Sequence, residues 1–235
     1  MGHLDYVTGP SFPARASPEA YPKGAAAGNL GYSIAMPTVL ITAFEPYDRW
    51  SENSSWLTLI ELTRELPISP KIVTRRYPVD FEKARARLAD DLAANYDVAL
   101  HLGQAPGIAR VHLEEIGLNL GGDRFEPDRL QPLVPDGPVA YRSALPLHHW
   151  AALVREVGVP CQVSLHAGTY LCNAVLYLSH YFAERQNLKT KAAFVHLPLA
   201  PQQVLHERQD TPSLSPTQCA EALRVILAAI DRGDV

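Results

Sequence analysis

The sequence predicts an α/β fold, a three-layer α/β/α sandwich around a mainly parallel twisted sheet. Two observations lead there. From Thr38 onward, short β-branched runs alternate with amphipathic helical patterns, and strands separated by helices pair in parallel through crossovers, with helices on both faces. The chain is also long enough, at 235 residues with 47% hydrophobic and 20% charged residues, to bury one continuous core without disulfides or metals. In such sheets ligands bind where strands end and loops into helices begin, which fixes where chemistry is sought.

Residues 1–35 are rich in Gly, Pro, Ala and Ser and show neither a helical nor a strand period. They read as a disordered arm, or as sequence upstream of a true start at Met36, and 36–235 as a single domain. Thr38–Thr42 is the first strand, followed by a helix from about Ser55 to Leu66 and a strand around Ile72–Arg75. Asp80 is placed to cap a helix running through Ala94, because its carboxylate can accept orphan N–H groups while Phe81, Ala84, Leu88 and Leu92 form one face. Asp97–Leu102 is the next strand.

Val111–Leu120 alternates, with Glu114 on the side of Ile116, Leu118 and Leu120, and Glu115 on the side of Val111 and Leu113. The Pro/Gly/Asp-rich stretch 121–138 reads as a long surface excursion, a kind of segment that is often functional in a compact domain. Helix Leu147–Val157, strand Gln162–Leu165, helix Leu171–Gln186, strand Ala192–Leu197 and helix Pro216–Arg232 complete the alternation. Ser215-Pro216 supplies a cap followed by proline at the first helical position.

Charge and cysteine content narrow the function classes. A net charge of −4 without any Lys/Arg run gives no basic field for nucleic acid or anionic lipid. The three cysteines, Cys161, Cys172 and Cys219, are an odd set without CxxC spacing, so neither a disulfide framework nor a zinc ribbon is expected and a reducing cytoplasm is. No apolar run approaches the ~20 residues of a membrane span, and the first residues lack a signal-peptide pattern.

Cys172 stands where the chain leaves a strand and enters the first turn of a helix. Unsatisfied N–H groups and the helix dipole favour a thiolate there. A lone cysteine is also commonly a small buried hydrophobe. Cys219, in step with Leu223, Ile226 and Ile230, and Cys161, at a strand entrance, fit that second description. His196 lies near the carboxyl end of its strand and can exchange a proton with a thiol. An acid is needed to orient the imidazole and stabilise the imidazolium; Glu114 is the candidate, with Glu115 as rival and Asp123 further off. His166, Cys172 and His196 follow no compact metal-ligand spacing, and GxGxxG, GxxxxGK[ST] and GxSxG are all missing.

Thr42-Ala43-Phe44-Glu45-Pro46-Tyr47, Leu102-Gly103-Gln104-Ala105, Glu114 with Asn119, Ala167-Gly168-Thr169-Tyr170-Leu171-Cys172-Asn173 and Val195-His196-Leu197-Pro198 together resemble the pyroglutamyl peptidase I family of cysteine peptidases. The resemblance runs from Met36 almost to the end. It implies removal of an amino-terminal pyroglutamyl residue from peptides through a thioester, without metal or cofactor, by Cys172, His196 and Glu114. It also implies Arg124 near the oxyanion, Phe44 and Tyr47 as aromatic walls around the lactam ring, and Gln104 lining the pocket; a homo-oligomer is compatible with it. Ala43, Tyr47, Ser54 and Phe125-Glu126-Pro127-Asp128 depart from the family pattern, and these bear on substrate preference more than on reaction type. Two alternatives stay open from the sequence: a related thiol amidase for another small lactam or amide, and a catalytically silent binding protein on the same fold.

Overall fold

The computed structural model describes residues 36–122, 126–207 and 209–235. The amino-terminal arm, Asp123, Arg124 and Phe125 therefore lie outside the described residues. Thr38–Phe44 forms β1, a β-branched run buried along almost its whole length, as expected of a strand covered on both faces. Asn53 caps α1 (Ser54–Thr63), its Oδ1 accepting from Ser55 N at 3.0 Å. β2 (Lys71–Tyr77) follows. Asp80 caps α2 (Phe81–Leu92) as expected, Oδ1 accepting from Lys83 N at 2.9 Å, with Ala84, Leu88 and Leu92 buried.

β3 (Val98–Gln104) is buried throughout. The alternating run 111–120 is two strands: β4 (Val111–Glu114) ends at Glu115, and β5 (Ile116–Leu118) leaves the main sheet to pair with β6 (Ala140–Arg142). Glu115 is the reason for the break. Its main chain bonds Ser164 O and Ser143 N, and its carboxylate takes Arg142 at 2.6 Å, so it belongs to both sheets at once. The sequence reading missed the short β6. α3 (Leu147–Glu156), β7 (Cys161–Ser164), α4 (Leu171–Arg185), β8 (Lys191–Leu197), a four-residue α5 (Pro201–Val204) and α6 (Pro216–Asp231) complete the order. Ser215 and Gln218 form the cap of α6, Gln218 N reaching Ser215 Oγ at 3.2 Å.

The six-stranded sheet has the order β2-β1-β3-β8-β4-β7. β2, β1, β3 and β8 run parallel, whereas β4 is antiparallel to β8 and parallel to β7. The helix-free link 105–110 explains the reversal: a parallel neighbour needs a long crossover, and this link is a turn. The next strand after a crossover, β7, comes through α3 and so keeps the direction of β4. α1, α3 and α6 cover one face over a core that includes Val39, Ile41, Leu100, Val195 and Trp150. α2 and α4 cover the other over Leu40, Phe44, Ala99 and Phe194. Among the described residues no helix is long and apolar enough to cross a membrane.

One polar chain crosses the second core. His101, fully buried on β3, bonds Thr42 Oγ1 through Nδ1 at 2.8 Å and Ser179 Oγ through Nε2 at 2.9 Å. Ser179 spends its own hydrogen on Val175 O at 2.7 Å, so Nε2 must carry the imidazole proton and Nδ1 must accept from Thr42.

Candidate active site

Strand pairing brings Glu114 and His196 together. Across the antiparallel β4–β8 pair, His112 opposes His196 and Glu114 opposes Phe194, and successive residues of a strand point to opposite faces, so Glu114 and His196 project from the same side. His196 Nδ1 meets Glu114 Oε1 at 2.8 Å, with both side chains at least nine-tenths buried. Of the two neighbouring acids, Glu114 faces the histidine, while Glu115 faces Arg142. His112 Nδ1 stands 3.9 Å from the same Glu114 oxygen and bonds Gln162 through Nε2 at 2.9 Å.

Cys172 reaches this pair from α4, although β7 runs opposite to β8. The chain climbs from Ser164 through 165–170 to the start of α4, which packs on the same sheet face. There the thiol stands against His196 and acts on its ionisation, and Nδ1 being occupied by Glu114 leaves Nε2 for the sulfur. Cys172 is half-buried, in contrast to the fully buried Cys161 and Cys219. Burial pushes those two thiols up to about 11 and about 12 respectively, as befits packing residues.

Burial acts to lower the His196 pKa, but the charge and hydrogen bond of Cys172, followed by those of Glu114, raise it to about 10. At neutral pH the ring is therefore an imidazolium. Burial acts to raise the Glu114 pKa; the bond and charge of His196, with smaller help from Ser164 and His112, hold it below its ordinary value. The carboxylate is charged, the imidazole is charged, and each stabilises the other in a water-poor setting.

Phe194 forms the floor, its ring centroid 4.8 Å from that of His196 and 6.2 Å from the stacked ring of Phe44. Gly103, opposite His196 in the β3–β8 register, makes room for both ring and sulfur. A Cβ there would lie 2.5 Å from Phe194 Cζ and 3.1 Å from Cys172 Sγ, so no larger residue fits. Sequence reasoning missed Phe194 and gave Gly103 no task, though a glycine inside a strand is a recognised sign of close approach.

The other residues named from sequence are less tightly gathered. Phe44 is 3% exposed and sits one ring away from His196. Tyr47 is half-buried in the loop after β1, a loop tied to the segment beyond β8 by Gln203 Nε2 on Glu52 O at 3.0 Å and Arg49 on Glu207 at 3.0 Å. Gln104 turns its side chain to the sheet face opposite Cys172: Oε1 accepts from Ser54 N and from Gln203 Nε2, both at 2.8 Å. Only its main chain stands at the carboxyl edge. Arg124 and Asp123 fall outside the described residues.

The arrangement sets a thiol beside an imidazole that is bonded to a carboxylate, a grouping suited to acyl transfer. Residues 37–232 match the family model of pyroglutamyl peptidase. The chain is 37% identical over 202 residues to a pyrrolidone-carboxylate peptidase of Clavibacter michiganensis, covering 83% of this chain and 92% of that one. It is also 37% identical to that of Streptomyces coelicolor, over 84% and 93%. Among solved structures, the pyrrolidone carboxyl peptidase of Fervidobacterium islandicum AW-1 superposes with a TM-score of 0.78 at 30% identity, covering 83% of this chain and 99% of that one. The pyroglutamyl peptidase I of Bacillus amyloliquefaciens gives 0.75 at 27% identity, over 83% and 95%. Fold, site geometry and these likenesses agree: the chain belongs to the pyroglutamyl peptidase family.

Proposed function

We propose that the protein hydrolyses the amide bond following an amino-terminal pyroglutamyl residue of peptides, with Cys172 as nucleophile, His196 as proton carrier and Glu114 as the acid that orients and charges it. The observation that carries this reading is the bond of 2.8 Å between His196 Nδ1 and Glu114 Oε1, with Cys172 acting on the same imidazole. Family membership gives the substrate class.

The steps follow from the charges. Cys172 Sγ attacks the pyroglutamyl carbonyl carbon, forming a C–S bond while the carbonyl electron pair moves onto oxygen. The amino end of α4, which receives no side-chain cap among the described residues, offers N–H groups and a positive dipole to that oxyanion. Arg124 is assigned beside it on its position in the sequence motif alone. Collapse expels the peptide amine, which takes the proton from His196 Nε2, and leaves a thioester. His196, now neutral, removes a proton from water as it attacks the thioester, and the thiolate departs with the imidazolium restored.

Tyr47, half-buried on the loop after β1, offers aromatic surface to the flat lactam, and Phe44 backs the site through its stack on Phe194. A thiol nucleophile works where thiols stay reduced, which fits the cytoplasm. The reading is tested by incubating the protein with a fluorogenic pyroglutamyl amide, with and without iodoacetamide: turnover that alkylation of Cys172 abolishes supports it, and alkylation without any turnover refutes the substrate.

Replacing Glu114 by glutamine is expected to lower kcat about 100-fold, in the range typical of a general acid–base partner, with little change in KM. The pH profile gives the sign. Glu114 helps raise the His196 pKa, so its loss lowers that pKa, and the alkaline limb, where the imidazolium can no longer protonate the amine, moves to lower pH. A damaging Glu115→Gln beside a silent Glu114→Gln would reverse the assignment.

A further inference from the structure

Asn173 follows the nucleophile on α4, is fully buried, and commits its entire side-chain amide to the main chain of another segment. Oδ1 accepts from Leu118 N at 2.8 Å, while Nδ2 donates to Leu118 O at 2.9 Å and to Leu120 O at 2.8 Å. Leu118 closes β5, whose other edge is taken by β6. The free edge of a strand ordinarily needs another strand to satisfy both groups of a residue; here one amide side chain does so.

The contact continues along the chain. Gly122 N donates to Thr169 O at 3.0 Å and Thr169 Oγ1 donates to Gly122 O at 3.3 Å, so 118–122 runs beside the turn 169–173 and is held at both ends. Gly117 permits the approach, since a Cβ would lie 2.8 Å from Tyr177 N on α4. Asn119 passes the anchorage on, bonding Val134 O at 2.7 Å and Val134 N at 2.9 Å, which ties in the excursion beyond Gly121.

We infer that Asn173 is a positioning residue: it docks segment 118–122 against the nucleophile turn and so sets the wall beside Cys172 against which the scissile amide is aligned. The inference rests on the pyroglutamyl reading for its substrate. It separates two things that a purely structural role would move together, the reactivity of the thiol and the alignment of the amide. Cys172, His196 and Glu114 make none of their contacts through Asn173, so loosening the wall leaves the thiol–imidazole pair in place.

The test compares N173A, T169V and T169S with wild type by thermal melting, hydrogen exchange over 116–122, Cys172 alkylation by iodoacetamide across pH, and hydrolysis of a pyroglutamyl amide. In N173A, kcat/KM should fall about 100-fold, the size of effect that a misplacement of about 1 Å produces. Exchange over 118–122 should quicken. The alkylation rate should stay within about threefold of wild type with an unshifted pH profile, because thiolate reactivity follows the local charges. T169V, which loses one link, should fall roughly fivefold, as removal of a single neutral hydrogen bond does, and T169S should restore it; this pair decides the matter if N173A does not fold. Unchanged turnover in folded N173A, turnover in T169V equal to that in T169S, or alkylation falling in step with turnover would overturn the inference. A wild type inactive on the amide would instead overturn the substrate reading, and the exchange data would then decide the docking on their own.

Discussion

Cys172→Ala should lower hydrolysis of a pyroglutamyl amide by roughly three orders of magnitude or more, the usual consequence of losing a nucleophile, while leaving the melting temperature close to that of wild type. The two halves of the expectation have separate causes. In the proposed mechanism the sulfur is the atom that bonds the substrate, so its removal disables both steps of the reaction. The side chain is half-buried and small, so little packing goes with it. Cys219→Ala makes the opposite case, since that thiol is buried on α6 among core residues; it should cost about 1 kcal/mol of stability from lost packing and leave turnover intact. Steady-state kinetics and melting curves on both variants check this, and wild-type activity in Cys172→Ala would end the thiol mechanism.

Selectivity should be larger still. The kcat/KM for a pyroglutamyl amide is expected to exceed that for the matching prolyl amide by about 10⁴–10⁵-fold, the rejection achieved by sites that hydrogen-bond a polar group the analogue lacks. The rings have similar shapes. Pyroglutamate presents a neutral lactam with one donor and one carbonyl acceptor, whereas proline lacks the carbonyl and carries a charged amine. That amine gains only about 0.5–2 kcal/mol over aromatic faces such as Phe44 and Tyr47, less than the desolvation and unpaired groups cost. Equal values for the two amides, or a preference for proline, would remove the pyroglutamyl assignment and leave a thiol peptidase of other specificity.

The alternation of β-branched runs and amphipathic helices was enough to read the layers, and the caps Asp80 and Ser215 stand where their side-chain chemistry requires. Cys172 stands out in the sequence because it opens a helix, and Cys219 because it repeats at helical spacing. What remained hidden depends on pairing across the sheet. A period of two puts Glu114 and Glu115 on opposite sides without saying which side meets His196; the register of β4 against β8 decides it. A strand's own residues do not say whether it runs with or against its neighbours; the signal for the reversal of β4 and β7 lies in the short helix-free link 105–110, which the alternation of strands and helices hides. The same limitation applies to Gln104, whose motif suggests a pocket residue while its side chain serves the opposite face, and to Asn173 and Gln203, whose amides act on main chain far away in sequence. Residues 1–35 and Arg124 lie outside the described residues, so the disordered arm and the oxyanion arginine remain readings of sequence.

The buried His101 makes the fold a sensor of acidity. Burial depresses its pKa to about 3, and burial likewise depresses that of His180 to about 4, whereas an unfolded histidine titrates near 6.5. Between those values the unfolded chain binds protons that the native state refuses, so the stability these two histidines contribute is fully present above about pH 6.5 and drains away as the pH falls toward 4. His101 cannot accept a second proton in place, because Nδ1 would then lose its bond from Thr42 and a charge would sit between β3 and α4, the helix that carries Cys172. Denaturant midpoints should therefore decline from pH 7 to pH 4, and the decline should be shallower in His101→Gln, even though that variant begins less stable. An equal slope in both would place the acid sensitivity elsewhere. Mild acid would thus weaken the packing of the helix that carries Cys172, while the Glu114 carboxyl is held below its ordinary pKa by His196.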